Sequence, residues 1–129
     1  MIADTSFLVP FFSQDHEMHK KSLEKMQINA EKIIIIDRVL EEMFTVLCYR
    51  KGVDFALNII EKIKNNKDIE IYYFNESELQ LIINLANKIK KKISFVDYCI
   101  LYMCLKNGEK FLCFDKELMG LLKRNYDFN

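Results

Sequence analysis

Four consecutive β-branched residues, Ile33-Ile-Ile-Ile36, constrain this chain more than any other stretch. A strand with one wet face alternates apolar and polar residues. This run does not alternate, so both of its faces must be buried. Strands of that kind belong to parallel sheets covered by helices on both sides. Three further apolar runs fit the same sheet: residues 1–4, Ile69 to Phe74, and Phe111 to Phe114.

The stretches between them read as helices. Ser6 or Thr5 can cap a short helix through Phe12, and Pro10 suits the first turn if Ser6 is the cap. Asp15 is predicted to cap a polar helix to about Ile28, and Asp37 a helix to about Arg50 that Gly52 ends. Another helix follows from about Val53 to Lys64. Asn75 with Glu78, and Ser94 with Asp97, have capping-box spacing and open helices to about Lys91 and Lys106. Asn107-Gly108 stops the second of these, and a last helix is expected over Lys116 to Arg124. Tyr126 to Phe128 reads as an edge strand or a frayed tail. Strands alternating with helices imply right-handed crossovers. The predicted fold is a single-domain three-layer α/β/α sandwich over residues 1–129, with a central, mainly parallel sheet of four or five strands.

Composition excludes several roles. The formal net charge is zero, so no long-range field draws the chain to nucleic acid or membrane, and any nucleic-acid role must rest on local patches. Cys48, Cys99, Cys104 and Cys113 form no Cys-x-x-Cys pair and lie in apolar runs, which predicts buried reduced thiols. His16 and His19 have no matching cysteine pair, which argues against a zinc site. Asp4 interrupts the N-terminus where a signal peptide would be apolar, and no apolar stretch approaches the roughly 20 residues of a membrane span. The expectation is a cytoplasmic protein with no membrane partner.

In open parallel sheets ligands bind beyond the carboxyl ends of the strands. Asp4 and Asp115 each follow an apolar strand at that edge. Asp97 is the single formal charge between Ser94 and Leu105, in a helix apolar on nearly every side. A buried carboxylate is normally paired, protonated or metal-bound, and a capping role for each acid is the simpler alternative. The fourth acid is Glu41 or Glu42. Both flank the apolar stripe of Val39, Met43 and Leu47, and periodicity does not separate them.

Asp4-Thr5-Ser6, Val39-Leu40-Glu41-Glu42, Ser94-Phe95-Val96-Asp97 and Phe114-Asp115-Lys116 occur in this order along the whole chain. In that respect it resembles the PIN domain family, in particular the small VapC-type ribonuclease toxins. The resemblance assigns the family's glutamate to Glu42. It implies a metal-dependent endoribonuclease that leaves a 5′-phosphate, with Asp4, Glu42, Asp97 and Asp115 as catalytic, metal-holding acids and Ser6 or Thr5 supporting them. Hard oxygen donors without histidine or thiolate suit Mg²⁺ or Mn²⁺. Like charges 4 Å apart cost about 1 kcal/mol in water and about 4 at an effective dielectric of 20, a repulsion that a cation relieves.

RNA is the implied substrate, selected by shape. Arg38, Lys88, Lys91 and Lys92 are the candidate phosphate contacts beside the acid motifs, with Lys90, Arg50 and Lys51 nearby. Tyr72, Tyr73 and Phe74 read as strand and core residues. A toxin implies a cognate antitoxin, for which the helix from Asp15 to about Ile28 and the segment after Gly52 offer a groove. A homodimer is the family expectation. The competing readings are a catalytically silent PIN-like module that binds RNA or protein, and a PIN nuclease of RNA processing.

Overall fold

A parallel four-stranded sheet organises the described residues, and β1 sits inside it rather than at an edge. The computed structural model describes residues 1–28, 31–108 and 110–122. Their elements are β1 (Ile2–Ala3), α1 (Thr5–Phe12), α2 (His19–Ile28), β2 (Ile33–Ile36), α3 (Asp37–Lys51), α4 (Val53–Lys64), β3 (Ile69–Tyr72), α5 (Glu76–Ile89), α6 (Phe95–Asn107), β4 (Phe111–Leu112) and α7 (Lys116–Leu122). The order across the sheet is β3-β2-β1-β4, with Ile2 beside both Ile34 and Phe111. The chain therefore steps outward from β1 to β3 and returns to pair β4 on the other side of β1. The direction of winding reverses between β1 and β4, where open sheets of this type bind ligands.

The Ile33–Ile36 run behaves as its pattern demands: Ile33, Ile35 and Ile36 are buried. Val39, Met43 and Leu47 of α3 are fully buried, as is most of α6 from Tyr98 to Cys104. Helix α1 packs on α2 and α3, α3 on α4, α5 on α6, and α6 on α7. The four cysteines are free thiols, three of them buried. Among the described residues no helix is long and apolar enough to cross a membrane.

Both capping boxes form, at Asn75–Glu78 and Ser94–Asp97. Gly52 and Gly108 end their helices with positive φ, at 96° and 63°. Other termini differ from expectation because side chains answer tertiary demands first. The N-cap of α1 is Asp4, not Ser6 or Thr5, whose hydroxyls are taken elsewhere. Pro10 consequently lies inside the helix, cannot donate to the Ser6 carbonyl, and the helix ends two residues later. Asp15 does not cap α2, which starts at His19, because its carboxylate pairs with Lys51 at 2.7 Å. Asp37 is the first residue of α3 rather than its cap, and accepts from Phe74 N across the sheet. That bond draws the chain out of β3 after Tyr72, just as a bond from Phe114 N to Ser6 ends β4 early. Helix α7 is described to Leu122, and the expected features beyond it lie outside the described residues.

Candidate active site

Asp4 ends β1 and is 6% exposed. Its Oδ1 accepts from Ser6 Oγ at 2.7 Å and from Phe7 N at 3.3 Å. Burial pushes its carboxyl up to about 6, the negative charge of Asp97 adds to the rise, and the Ser6, Phe7 and Cys113 donors oppose it. The same Ser6 Oγ accepts from Phe114 N at 2.9 Å, so one hydroxyl joins the ends of β1 and β4.

Asp115 caps α7, its Oδ1 accepting from Glu117 N at 3.0 Å and Leu118 N at 3.2 Å. Cys113 lies beneath both aspartates. Its sulfur accepts from Asp115 N at 2.9 Å, and burial, followed by the charge of Asp4, pushes its thiol up to about 12. It is therefore a neutral thiol that holds the backbone of Asp115 and faces Asp4. Removing the hydroxyl in Ser6→Ala leaves the carboxylate and the Phe114 N–H each one partner short. The expected loss is about 1–3 kcal/mol, read from the denaturant midpoint.

Asp97 sits half-buried at the third position of α6. Its Oδ2 accepts from Ser94 N at 3.3 Å while its own N–H donates to Ser94 Oγ at 3.1 Å. Its carboxyl lies above the usual range, first through burial and then through the charges of Asp115 and Glu42. Asp97 is thus the acid that feels the other three. Glu42, one turn into α3, accepts a short hydrogen bond from the Thr5 hydroxyl at the end of β1. Glu41 lines a groove of about 320 Å³ with Leu40, Phe44, Thr45 and Ile60, away from Thr5.

The capping reading of the acids is correct for Asp4, Asp97 and Asp115. It does not exhaust their capacity, because the hydrogen bonds that fix Glu42, Asp97 and Asp115 each fall on a single carboxylate oxygen, and the Ser6 and Phe7 bonds to Asp4 share its Oδ1. All the donors are hard oxygens, which fits a Mg²⁺- or Mn²⁺-type ion. As the side chains stand, no three Asp, Glu, His or Cys residues among those described are gathered around one point. Glu42 is exposed and Asp115 half-exposed, whereas Asp4 is buried. A cleft of about 720 Å³ lined by Phe12, Glu61, Asn65 and Ile69 opens at the opposite, amino edge of the sheet.

Lys88, Lys91 and Lys92 are exposed at the end of α5 and on the turn that leads to Ser94, close in sequence to Asp97. Arg38 opens α3 one turn before Glu42. Arg50 and Lys51 end the same helix, roughly 12–14 Å beyond Glu42 at 1.5 Å per residue, and Lys51 pairs with Asp15. Tyr73 is 67% exposed rather than a core residue, while Tyr72 and Phe74 pack edge-on against each other. His16 and His19 are tied to backbone atoms of Met18 and Pro10. From sequence Cys113 reads only as a buried thiol and Asp37 only as a helix cap, with no role at the site. The available signal was a polar atom inside an apolar strand next to an acid, and an acid one residue after another strand's end.

A family model for the PIN domain matches residues 1–121. No match is found among curated proteins. Seven solved chains match. One of them is the crystal structure of Mycobacterium tuberculosis VapC20, described as a sarcin-ricin loop cleaving toxin, with a TM-score of 0.82 at 18% identity over 93% of each chain. At that identity the likeness is one of fold.

Proposed function

The chain belongs to the PIN domain family, and from that premise we propose that it is an endoribonuclease working with Mg²⁺ or Mn²⁺ held among Asp4, Glu42, Asp97 and Asp115. The observation that supports this most is geometric: Asp4, buried at the end of β1, and Asp115, after β4, are joined through Ser6 at the switch point of the sheet. Capping α1 uses one oxygen of Asp4 and leaves the cost of burying its charge only partly offset. The arrangement makes sense where a cation offsets the charge.

When bound, a divalent cation lowers the pKa of a water molecule and neutralises charge growing on the scissile phosphate. The chain's own residues supply the rest. Asp4, Asp97 and Asp115 would hold the ion through their carboxylates. Ser6 and Cys113 hold the first and third of these acids at a fixed separation. Glu42, oriented by Thr5, binds the ion or accepts a proton from the attacking water. Lys88, Lys91 and Lys92 attract the RNA backbone beside Asp97. The product carries a 5′-phosphate.

By analogy with VapC20, we place the protein as the toxin of a toxin–antitoxin pair, acting on folded RNA such as tRNA or rRNA in the cytoplasm. Its partners in that reading are a cognate antitoxin and a second copy of itself. One observation favours a catalytically silent RNA- or protein-binding module instead: three donors are not gathered around one point. Incubation of the purified protein with total RNA decides between them. Cleavage that requires Mg²⁺ or Mn²⁺, stops with chelator and leaves sequenceable 5′-phosphate ends is the expected result. Intact RNA at every metal concentration would establish the silent module.

A further inference from the structure

Arg38 lies four residues before Glu42, on the same face of α3 and one turn nearer the carboxyl edge of the sheet. Its guanidinium forms no ion pair with Glu42. Nη1 donates instead to Asp37 Oδ2 at 2.9 Å, and the guanidinium carbon lies 5.6 Å from the centroid of the Phe74 ring. That ring is itself fixed, edge-on to Tyr72 at 5.4 Å and to Tyr102 of α6 at 6.2 Å. Phe74 N also donates to Asp37 Oδ2, at 3.4 Å. Asp37 and Phe74 therefore bracket one cationic side chain, and β3 and α6 support the ring it lies on.

Asp37 does not need the guanidinium for its own satisfaction. Its carboxylate already accepts from two backbone groups, Arg38 N at 2.8 Å and Phe74 N. The pairing engages one of five guanidinium N–H donors. The Nη2 and Nε groups make no hydrogen bond among the described residues, and the side chain is 31% exposed. Planar, rigidly held donors of this kind match a phosphate better than a flexible lysine does. The need for one is plain from the charges. The chain has no net positive field, and the acids repel an RNA backbone unless a fixed cation meets it locally.

We propose that Arg38 binds an RNA phosphate flanking the scissile bond through its Nη2–Nε edge, with Asp37 and Phe74 as the residues that orient it. This rests on the nuclease reading of the acids, but part of its test does not require cleavage. In an Asp97→Asn background, which prevents turnover, a fluorescein-labelled single-stranded RNA is titrated in Mg²⁺ and followed by anisotropy. Adding Arg38→Ala is expected to weaken binding roughly tenfold or more. The slope of log affinity against log salt should shrink by about 0.7, the value for one phosphate on a single strand. Arg38→Lys should keep the slope and recover only part of the affinity, because it retains the charge but lacks the fork.

In otherwise wild-type protein, Arg38→Ala should raise KM and largely spare kcat, with the melting temperature nearly unchanged. Unchanged RNA affinity and salt slope in a folded Arg38→Ala protein would overturn the proposal. So would a loss confined to kcat. If the wild-type protein cuts no RNA while the affinity and slope still shift, the nuclease reading fails and Arg38 stands as a phosphate ligand of an RNA-binding site.

Discussion

Replacing Asp4 with Asn is expected to lower RNA cleavage by a factor on the order of 10³ while making the metal-free protein harder to melt. The first effect follows if Asp4 presents an oxygen to the ion. The second follows from its burial. Its carboxyl titrates near 6 in the folded chain, above the ordinary value of 3.8, chiefly because burial penalises the charged form. A raised carboxyl pKa stabilises the fold below the unfolded value, and that contribution is lost as pH rises from about 4 through about 6. Above that window the ionised group costs up to about 3 kcal/mol, at about 1.4 kcal/mol per pKa unit. Asparagine keeps an acceptor for Ser6 and for Phe7 N, and it caps helices well. Thermal melts in chelator at neutral pH should therefore show the variant several degrees above wild type, with the difference vanishing near pH 4. Added Mn²⁺ should raise the melting temperature of wild type alone. A clear drop for the variant at neutral pH would mean that Asp4 is held for the fold.

The second large effect separates two neighbours. Glu42→Gln should reduce cleavage on the order of 10²-fold, and Glu41→Gln should leave it within about twofold, in initial rates with saturating Mn²⁺. Both residues are exposed and precede the same buried Met43, so a difference in folding does not explain such a contrast. What distinguishes them is Thr5, whose hydroxyl reaches Glu42, and Asp97, which feels its charge. Equal losses in the two variants would remove Glu42 from the site.

That pair also shows where sequence reasoning stops. The glutamates lie on either side of one apolar stripe, and the group that chooses between them is 37 residues earlier in the chain. Periodicity carries no such information. The parallel sheet was legible because Ile33–Ile36 leaves no polar face, and both capping boxes because their partners are three residues apart. The acids at the ends of β1 and β4 were legible for the same local reason. Caps at Thr5 or Ser6, Asp15 and Asp37 were misassigned, each because a distant group claimed a side chain with good local propensity: Glu42 and Phe114, Lys51, and Phe74 in turn. Cys113 escaped notice since a cysteine in an apolar run reads as core, and it is core, yet its sulfur holds Asp115 N.

Titrating Mn²⁺ into metal-free protein near neutral pH, followed by loss of the free-ion paramagnetic resonance signal, tests directly whether the four acids act as one cation site. Saturable binding by wild type is expected, weakened roughly tenfold or more in Asp4→Asn and Asp97→Asn and unchanged in Glu41→Gln, with RNA cleavage rising along the same curve. Mn²⁺ affinity indifferent to Asp97→Asn, or RNA cleavage at full rate in chelator, would contradict it.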